Sequence, residues 1–191
     1  MRIRVLCALF AAFVLAAAQT AQAGQAMDTL KATVDEVLAI LKTPADTPRR
    51  EDKLEAAASR VFDPQELARR TVGVHWKSFS PDEQAQFTTA FVKLLERTYL
   101  RRMESYPNAQ VVYLSESPLG DNQAEVATKV IAEREIPIVY RFIKKEDWKV
   151  YDVVIEGVSL VQNYRNQFNQ ILATQSPAQL IARIESMGQT Q

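Results

Sequence analysis

The chain has 191 residues, with 23 basic and 23 acidic side chains, one histidine and one cysteine. That balance provides no basic stripe for nucleic acid, and a lone histidine, His75, excludes histidine-paired metal or catalytic clusters. Only five glycines occur, and no Gly-rich loop, so no phosphate cradle is expected.

At the start, Arg2 and Arg4 make a short basic segment, residues 5–18 are apolar, and Ala21-Gln22-Ala23 is a small-x-small cleavage pattern. The apolar run falls short of the roughly 20 residues that span a bilayer. Residues 1–23 therefore read as a cleaved export signal. Cys7 lies inside it, and Arg4-Val5-Leu6 is no lipobox, so the exported chain should carry neither disulfide nor anchor. Residues 24–191 are expected to form one domain, long enough for a real core.

The first half of that chain is helical in pattern. Met27, Leu30, Val34, Val37, Leu38 and Leu41 recur every three or four residues as one apolar stripe. Residues 43–48, with two prolines, form a connection, and a second helix is expected over 50–61. Asp63-Pro64-Gln65-Glu66 has an N-cap carboxylate, a proline at the first helical position and a glutamate to complete the box. This third helix should end near Gly73. Ser80-Pro81-Asp82-Glu83 repeats the grammar and opens the longest helix, with Phe87, Phe91, Leu94, Leu95, Thr98, Tyr99 and Met103 on one face. Tyr106-Pro107-Asn108 stops it.

β-rich runs follow at 110–115, 125–132, 136–144 and 148–156, separated by short polar breaks. Such short connections permit only antiparallel neighbours, so the four strands predict a meander. Ile136, Ile138, Tyr140 and Phe142 should share one face of the third strand, opposite Val139, Arg141 and Ile143. On the last strand, strict alternation puts Trp148, Val150 and Val154 on one face and Tyr151, Val153 and Ile155 on the other. Apolar residues on both faces predict that both are at least partly covered. Gly157 breaks the strand, residues 158–174 return to helix, and Ser176-Pro177 caps a last short helix. The expected class is α+β: N-terminal helices, a four-stranded twisted antiparallel meander, then C-terminal helices.

Chemistry is sparse. No Gly-x-Ser-x-Gly elbow surrounds a serine, and the exported chain has no thiol. Asp152 and Glu156 could share a strand face as an acid pair, but acids near a strand end commonly pair with arginines or cap the next helix. No cofactor is expected, and catalysis is not.

Residues 148–168, Trp-Lys-Val-Tyr-Asp-Val-Val-Ile-Glu-Gly-Val-Ser-Leu-Val-Gln-Asn-Tyr-Arg-Asn-Gln-Phe, strongly resemble the best-known stretch of the MlaC, or toluene-tolerance, family. Thr71-Val72-Gly73-Val74-His75-Trp76, followed by Ser80-Pro81, Phe87, Phe91, Leu94-Leu95 and Thr98-Tyr99, is similar to that family's central helices. The resemblance implies a periplasmic phospholipid carrier, the soluble component of an ABC transport system working between outer and inner membranes. It implies helices on a twisted sheet, with acyl chains in a cavity between the layers and the headgroup exposed. Implied partners are an outer-membrane lipoprotein complex and an inner-membrane lipid-tunnel protein with its permease and ATPase. Hopanoid or another lipid is the alternative cargo. A small periplasmic enzyme or isomerase acting on a hydrophobic ligand is the alternative function.

Apolar faces, rather than carried-over ligands, select the expected lining. From the long helix these are Phe87, Phe91, Leu94, Leu95 and Tyr99; from the sheet, Val112, Val126, Val130, Ile138, Tyr140, Phe142, Val150 and Val154; and from the last wall, Val158, Val161 and Phe168. A one-residue slip of any strand would exchange its faces. Asp152, Glu156, Ser159 and Arg165 read as structural, the acids pairing with Arg141 or Arg165, and Gly157 as the residue that permits a sharp turn.

Overall fold

A computed structural model describes residues 24–104, 106 and 108–187; the expected export signal lies outside them. In chain order come α1 (Gln25–Leu41), α2 (Arg50–Val61), α3 (Pro64–Val72), a 3-10 segment (Gly73–Ser78) and α4 (Pro81–Glu104). The strands are β1 (Gln110–Gly120), β2 (Gln123–Ile131), β3 (Glu135–Lys144), β4 (Trp148–Ile155) and β5 (Val158–Ser159), and α5 (Leu160–Leu172) and α6 (Pro177–Met187) close the chain. The class is α+β, as expected, with an open antiparallel sheet in the order β1-β2-β3-β4-β5.

The helix starts follow from their caps. Asp63 accepts the Glu66 amide at 2.9 Å, with Pro64 in the first turn. Ser80 and Glu83 satisfy one another reciprocally, at 3.2 and 2.9 Å, and Ser176 and Gln179 do the same at 3.3 and 2.9 Å. Glu66 departs from the expected box. The Asp63 amide donates instead to the Val150 carbonyl at 3.0 Å, stitching the α2–α3 junction to β4. The Glu66 carboxylate, nearly buried, takes Arg69 and Arg70 at 2.7 Å each. Burial raises this acid, but the hydrogen bonds and charges of Arg69 and Arg70 outweigh it and hold the group below its ordinary 4.5.

The sheet has one more strand than expected, because residues 158 and 159 pair with β4 before the chain turns helical. Glu156 and Gly157, at φ 50° and 83°, form the two-residue turn between β4 and β5. Both being positive is what a tight hairpin with the sheet's own twist requires. The first strand also runs on to Gly120 rather than stopping near Ser115.

Two bulges decide which residues share a face. One lies between Tyr113 and Ser115 in β1, the other at Tyr151, where Arg141 opposes Asp152 but Phe142 opposes Val150. An extra residue resets the alternation beyond it. Val150, Val153 and Ile155 therefore lie on one face with Phe142, Tyr140 and Ile138, while Val154 pairs with Val139 on the other. This corrects the strict alternation read for β4. Val112 likewise pairs with Lys129, away from Val126 and Val130, and is exposed.

Each face has its own cover. Glu116 of β1 reaches across the first face to accept the Gly24 and Met27 amides at 3.0 and 2.7 Å, anchoring the start of α1 over the sheet. Trp148 donates to Gln25 there at 3.3 Å. On the second face the Arg70 guanidinium of α3 stacks over the Tyr151 ring at 4.0 Å. Asp152, 2 % exposed, accepts from Ser159 at 2.7 Å, from the Val161 amide at 3.1 Å and from Arg141 at 3.2 Å. One carboxylate thus joins β3, β4, β5 and the first turn of α5.

Two outcomes test these anchors. Asp152→Ala removes the acceptor of the Ser159 hydroxyl and the α5 amide and leaves Arg141 only its longer pair with Glu125 at 3.8 Å, and should lower unfolding free energy by about 3 kcal/mol in urea titrations; Glu156→Ala, breaking an exposed pair with Arg134, should change it little. Because the folded Glu66 carboxyl is held below its ordinary value, its stabilisation is present above pH 4.5 and disappears as pH falls through the folded value. Urea midpoints taken from pH 7 to pH 3 should fall less steeply in Glu66→Gln than in the natural protein.

Candidate functional site: the seam between sheet and helices

Buried apolar residues usually form one continuous core. Here they form two large ones. The helical core gathers Leu67, Val72, Phe87, Phe91, Phe168 and Ile184 from α3 to α6. The sheet core gathers Ala124, Val126, Phe142 and Val150 with Ala26 and Leu30 of α1. Phe62, at the α2–α3 junction, is packed against both. A smaller cluster, Val37, Leu41, Leu54 and Ala57, fastens α1 to α2.

Phe87, Phe91 and Phe168 are fully buried and pack ring against ring with Tyr164, at centroid distances of 5.1 to 5.9 Å. Edge-to-face contacts of this kind make a solid aromatic core. Val161 belongs to the same core. These four expected lining residues are therefore interior packing of the helical layer. Leu94 packs at its margin and lines a cleft of about 230 Å³ between α4 and α6, smaller than common ligand sites. Leu95 also packs against this core, Tyr99 is half-buried, and Val158 is exposed on β5.

The sheet side is different. Val126, Phe142 and Val150 are sealed beneath the start of α1, whereas Val130, Ile136, Ile138 and Tyr140 on the same face are only half-buried. Val111 and Tyr113 of β1 continue this half-covered area opposite Val130 and Thr128. The reason is the path of α1: Met27, Leu30 and Val34 serve the sheet core, then Val37 and Leu41 turn to α2. The long helix α4 begins in the helical core, while Tyr106, just past its end, comes near Arg134 in the β2–β3 connection. It packs chiefly on α6 and α3. The half-covered apolar area of the sheet, Val111, Tyr113, Val130, Ile136, Ile138 and Tyr140 on the face that α1 covers only in part, is the seam.

Polarity is scarce in that seam. Burial pushes the Tyr140 phenol up to about 12, with the neighbouring Tyr113 adding to the shift. Tyr113 is also pushed up to about 12, by burial first and by Asp35 of α1 second. Around the rim, Arg134 forms a two-pronged pair with Glu156, and Lys129 meets Glu135 at 2.7 Å. Arg165 donates to the Arg70 carbonyl at 2.7 Å, bracing α5 on α3. The acids Asp152 and Glu156 point into separate networks and make no acid pair. Among the described residues, no cluster of potential metal ligands occurs and no helix is long and apolar enough to cross a membrane.

Comparison with known proteins adds the decisive observation: the family model described as MlaC protein matches residues 31–186. The chain belongs to the MlaC family. The match runs from α1 into α6 and so includes both layers and the seam between them. A Haemophilus influenzae relative, the intermembrane phospholipid transport system binding protein MlaC, is 29 % identical over 123 residues. That alignment takes in 61 % of this chain and 58 % of the relative, so the chain spans little more than half of that protein's length. Among solved structures, a phospholipid-binding protein from Ralstonia solanacearum, in complex with a phospholipid, superposes with a TM-score of 0.79 at 26 % identity. It is matched over 86 % of this chain and 97 % of its own.

Val111, Tyr113 and Ile136 are seam residues missing from the sequence-derived lining. Ile136 was legible as part of the β3 face, but the bulge beside Tyr113 hid the first two. Phe91→Ala should cost about 3–5 kcal/mol of stability, whereas Ile138→Ala, at a half-covered position, should cost roughly 1 kcal/mol. Urea unfolding of the lipid-free protein checks the difference; equal losses would show that the seam is solid core.

Proposed function

We propose that this protein is a periplasmic phospholipid carrier, the soluble component of an ABC transport system between the outer and inner membranes. The observation that carries the reading is an apolar seam, half-covered on its sheet side, in a chain of the MlaC family. The likeness to a protein solved with bound phospholipid supports it. Acyl chains occupy the seam, against Val130, Ile138 and Tyr140, and the headgroup stays at the wet rim. Residues 1–23 direct export and are removed, leaving residues 24–191 as one freely diffusing domain. Its partners are an outer-membrane lipoprotein complex and an inner-membrane lipid-tunnel protein with permease and ATPase.

The energetics suit a seam of this kind. Each exposed methylene costs about 0.8 kcal/mol, so a two-chain lipid crossing water unshielded faces roughly 20 kcal/mol or more. A carrier must hide nearly all of that surface while needing few polar contacts. An enzyme reading asks for an acid free to act on a seam-bound ligand. Asp152 is committed to three donors on the opposite face, and Glu156 to Arg134, so the carrier reading is favoured.

Native mass spectrometry of protein purified from a bacterial periplasm without detergent should show a discrete added mass that solvent extraction resolves into phospholipid. Val130→Trp and Ile138→Trp should fill the seam and lose most of that mass while far-UV circular dichroism is unchanged. Protein that arrives empty and then takes up neither phospholipid nor hopanoid in vitro would defeat the reading.

A further inference from the structure

The hydroxyl of Tyr113 is buried and, among the described residues, has no hydrogen-bond partner. A polar group hidden in that state costs stability that an apolar side chain of the same shape would not. Its setting is specific. Tyr113 sits on the α1 side of the sheet, opposite Thr128, with Val111 beyond it, and is near enough to Tyr140 to raise that residue's phenol. The Thr128 hydroxyl opposite donates to the Ile138 carbonyl at 3.0 Å and makes no bond with Tyr113. On the outer side, the Lys31 ammonium of α1 lies over the Tyr113 ring, 5.5 Å from its centroid.

Resting on the carrier reading, we propose that Tyr113 is a specificity residue whose hydroxyl donates to the carbonyl oxygen of a fatty-acyl ester in the bound lipid. The groups gathered here suit this chemistry. The Lys31 ammonium faces the ring, Asp35 of α1 also lies close enough to act on the phenol, and Val111 and Val130 are neighbours on the same sheet face. A diacyl glycerophospholipid likewise joins a charged phosphate, neutral esters and apolar chains. The charged phosphate remains hydrated because burying it unpaired is far more costly than burying an ester. The ester carbonyl is a neutral acceptor that the hydroxyl can serve inside an apolar site. A dialkyl ether lipid has the same phosphate and chains but no carbonyl, so the two lipids isolate this one bond.

The test offers the detergent-free protein vesicles holding equal amounts of a diester phosphatidylethanolamine and its diether analogue of matched chain length, then measures bound lipid by extraction and mass spectrometry. The natural protein should load the diester in roughly fivefold excess, the worth of one neutral hydrogen bond. Tyr113→Phe should bring the ratio near one, the loss falling on the diester while the diether loads as it does in the natural protein. In the lipid-free state the variant should unfold at the same or a higher urea concentration, since no bond within the protein is lost. Equal loading by the natural protein overturns the proposal, as does a preference that survives in Tyr113→Phe. Lower lipid-free stability in the variant also overturns it, by showing that the hydroxyl has a partner within the protein. Loading of neither lipid sinks the carrier reading itself, a different result from equal loading of both.

Discussion

Asp152 holds the two halves of the molecule in register. Its carboxylate binds Arg141 on the neighbouring strand, the Ser159 hydroxyl on the last strand and the Val161 amide in the first turn of α5. A buried carboxylate is tolerated only when donors surround it, and here each donor belongs to an element that must be positioned. Once α5 is fixed there, Phe168 and Tyr164 present their rings to Phe87 and Phe91, and the helical layer can assemble. The anchoring is on the sheet face away from the seam. The seam therefore needs no polar structural bonds running through it.

The bulge at Tyr151 makes that arrangement possible. It turns Tyr151 and Asp152 toward α3 and α5 together, and it delivers Val153 and Ile155 to the face that Val150 already occupies. Without the extra residue, the strand would divide its aliphatic side chains differently between the two faces. The β1 bulge has a similar effect at the opposite edge, allowing Glu116 and Tyr113 both to face α1 although they are three positions apart. One of them anchors the helix start, and the other stands under its middle turns.

Much of the fold was legible because its signals are local. Proline and cap residues marked the starts of α3, α4 and α6, and the short connections permitted only an antiparallel meander. On β3, which has uninterrupted alternation between residues 136 and 142, the faces matched the structure. Val112 and Val154 were misplaced because a bulge has no composition of its own; both depend on which strand residue is skipped in pairing. The helix residues show a second limit. Phe87, Phe91 and Phe168 lie on an apolar face, as read, but periodicity cannot say whether that face meets a cavity or other side chains. Glu66 similarly had the right residue type for a capping box, yet two arginines one turn away offered a stronger partnership.

Separate cores reconcile stability with the opening that the proposed carrier role requires. In a domain with one continuous core, prising the layers apart would expose well-packed side chains and forfeit their dispersion contacts. Here the Phe-Tyr cluster is complete within α3 to α6, and the sheet core is complete under the start of α1. Phe62 is packed against both, and it lies where the chain is pinned to β4 by the Asp63 amide. Because the two clusters meet at Phe62, movement of the helical layer as a unit relative to the sheet would leave most of each core intact. The side chains at the far edge are the ones left half-buried, so the cost of parting them is low where access is needed and high where the layers are joined.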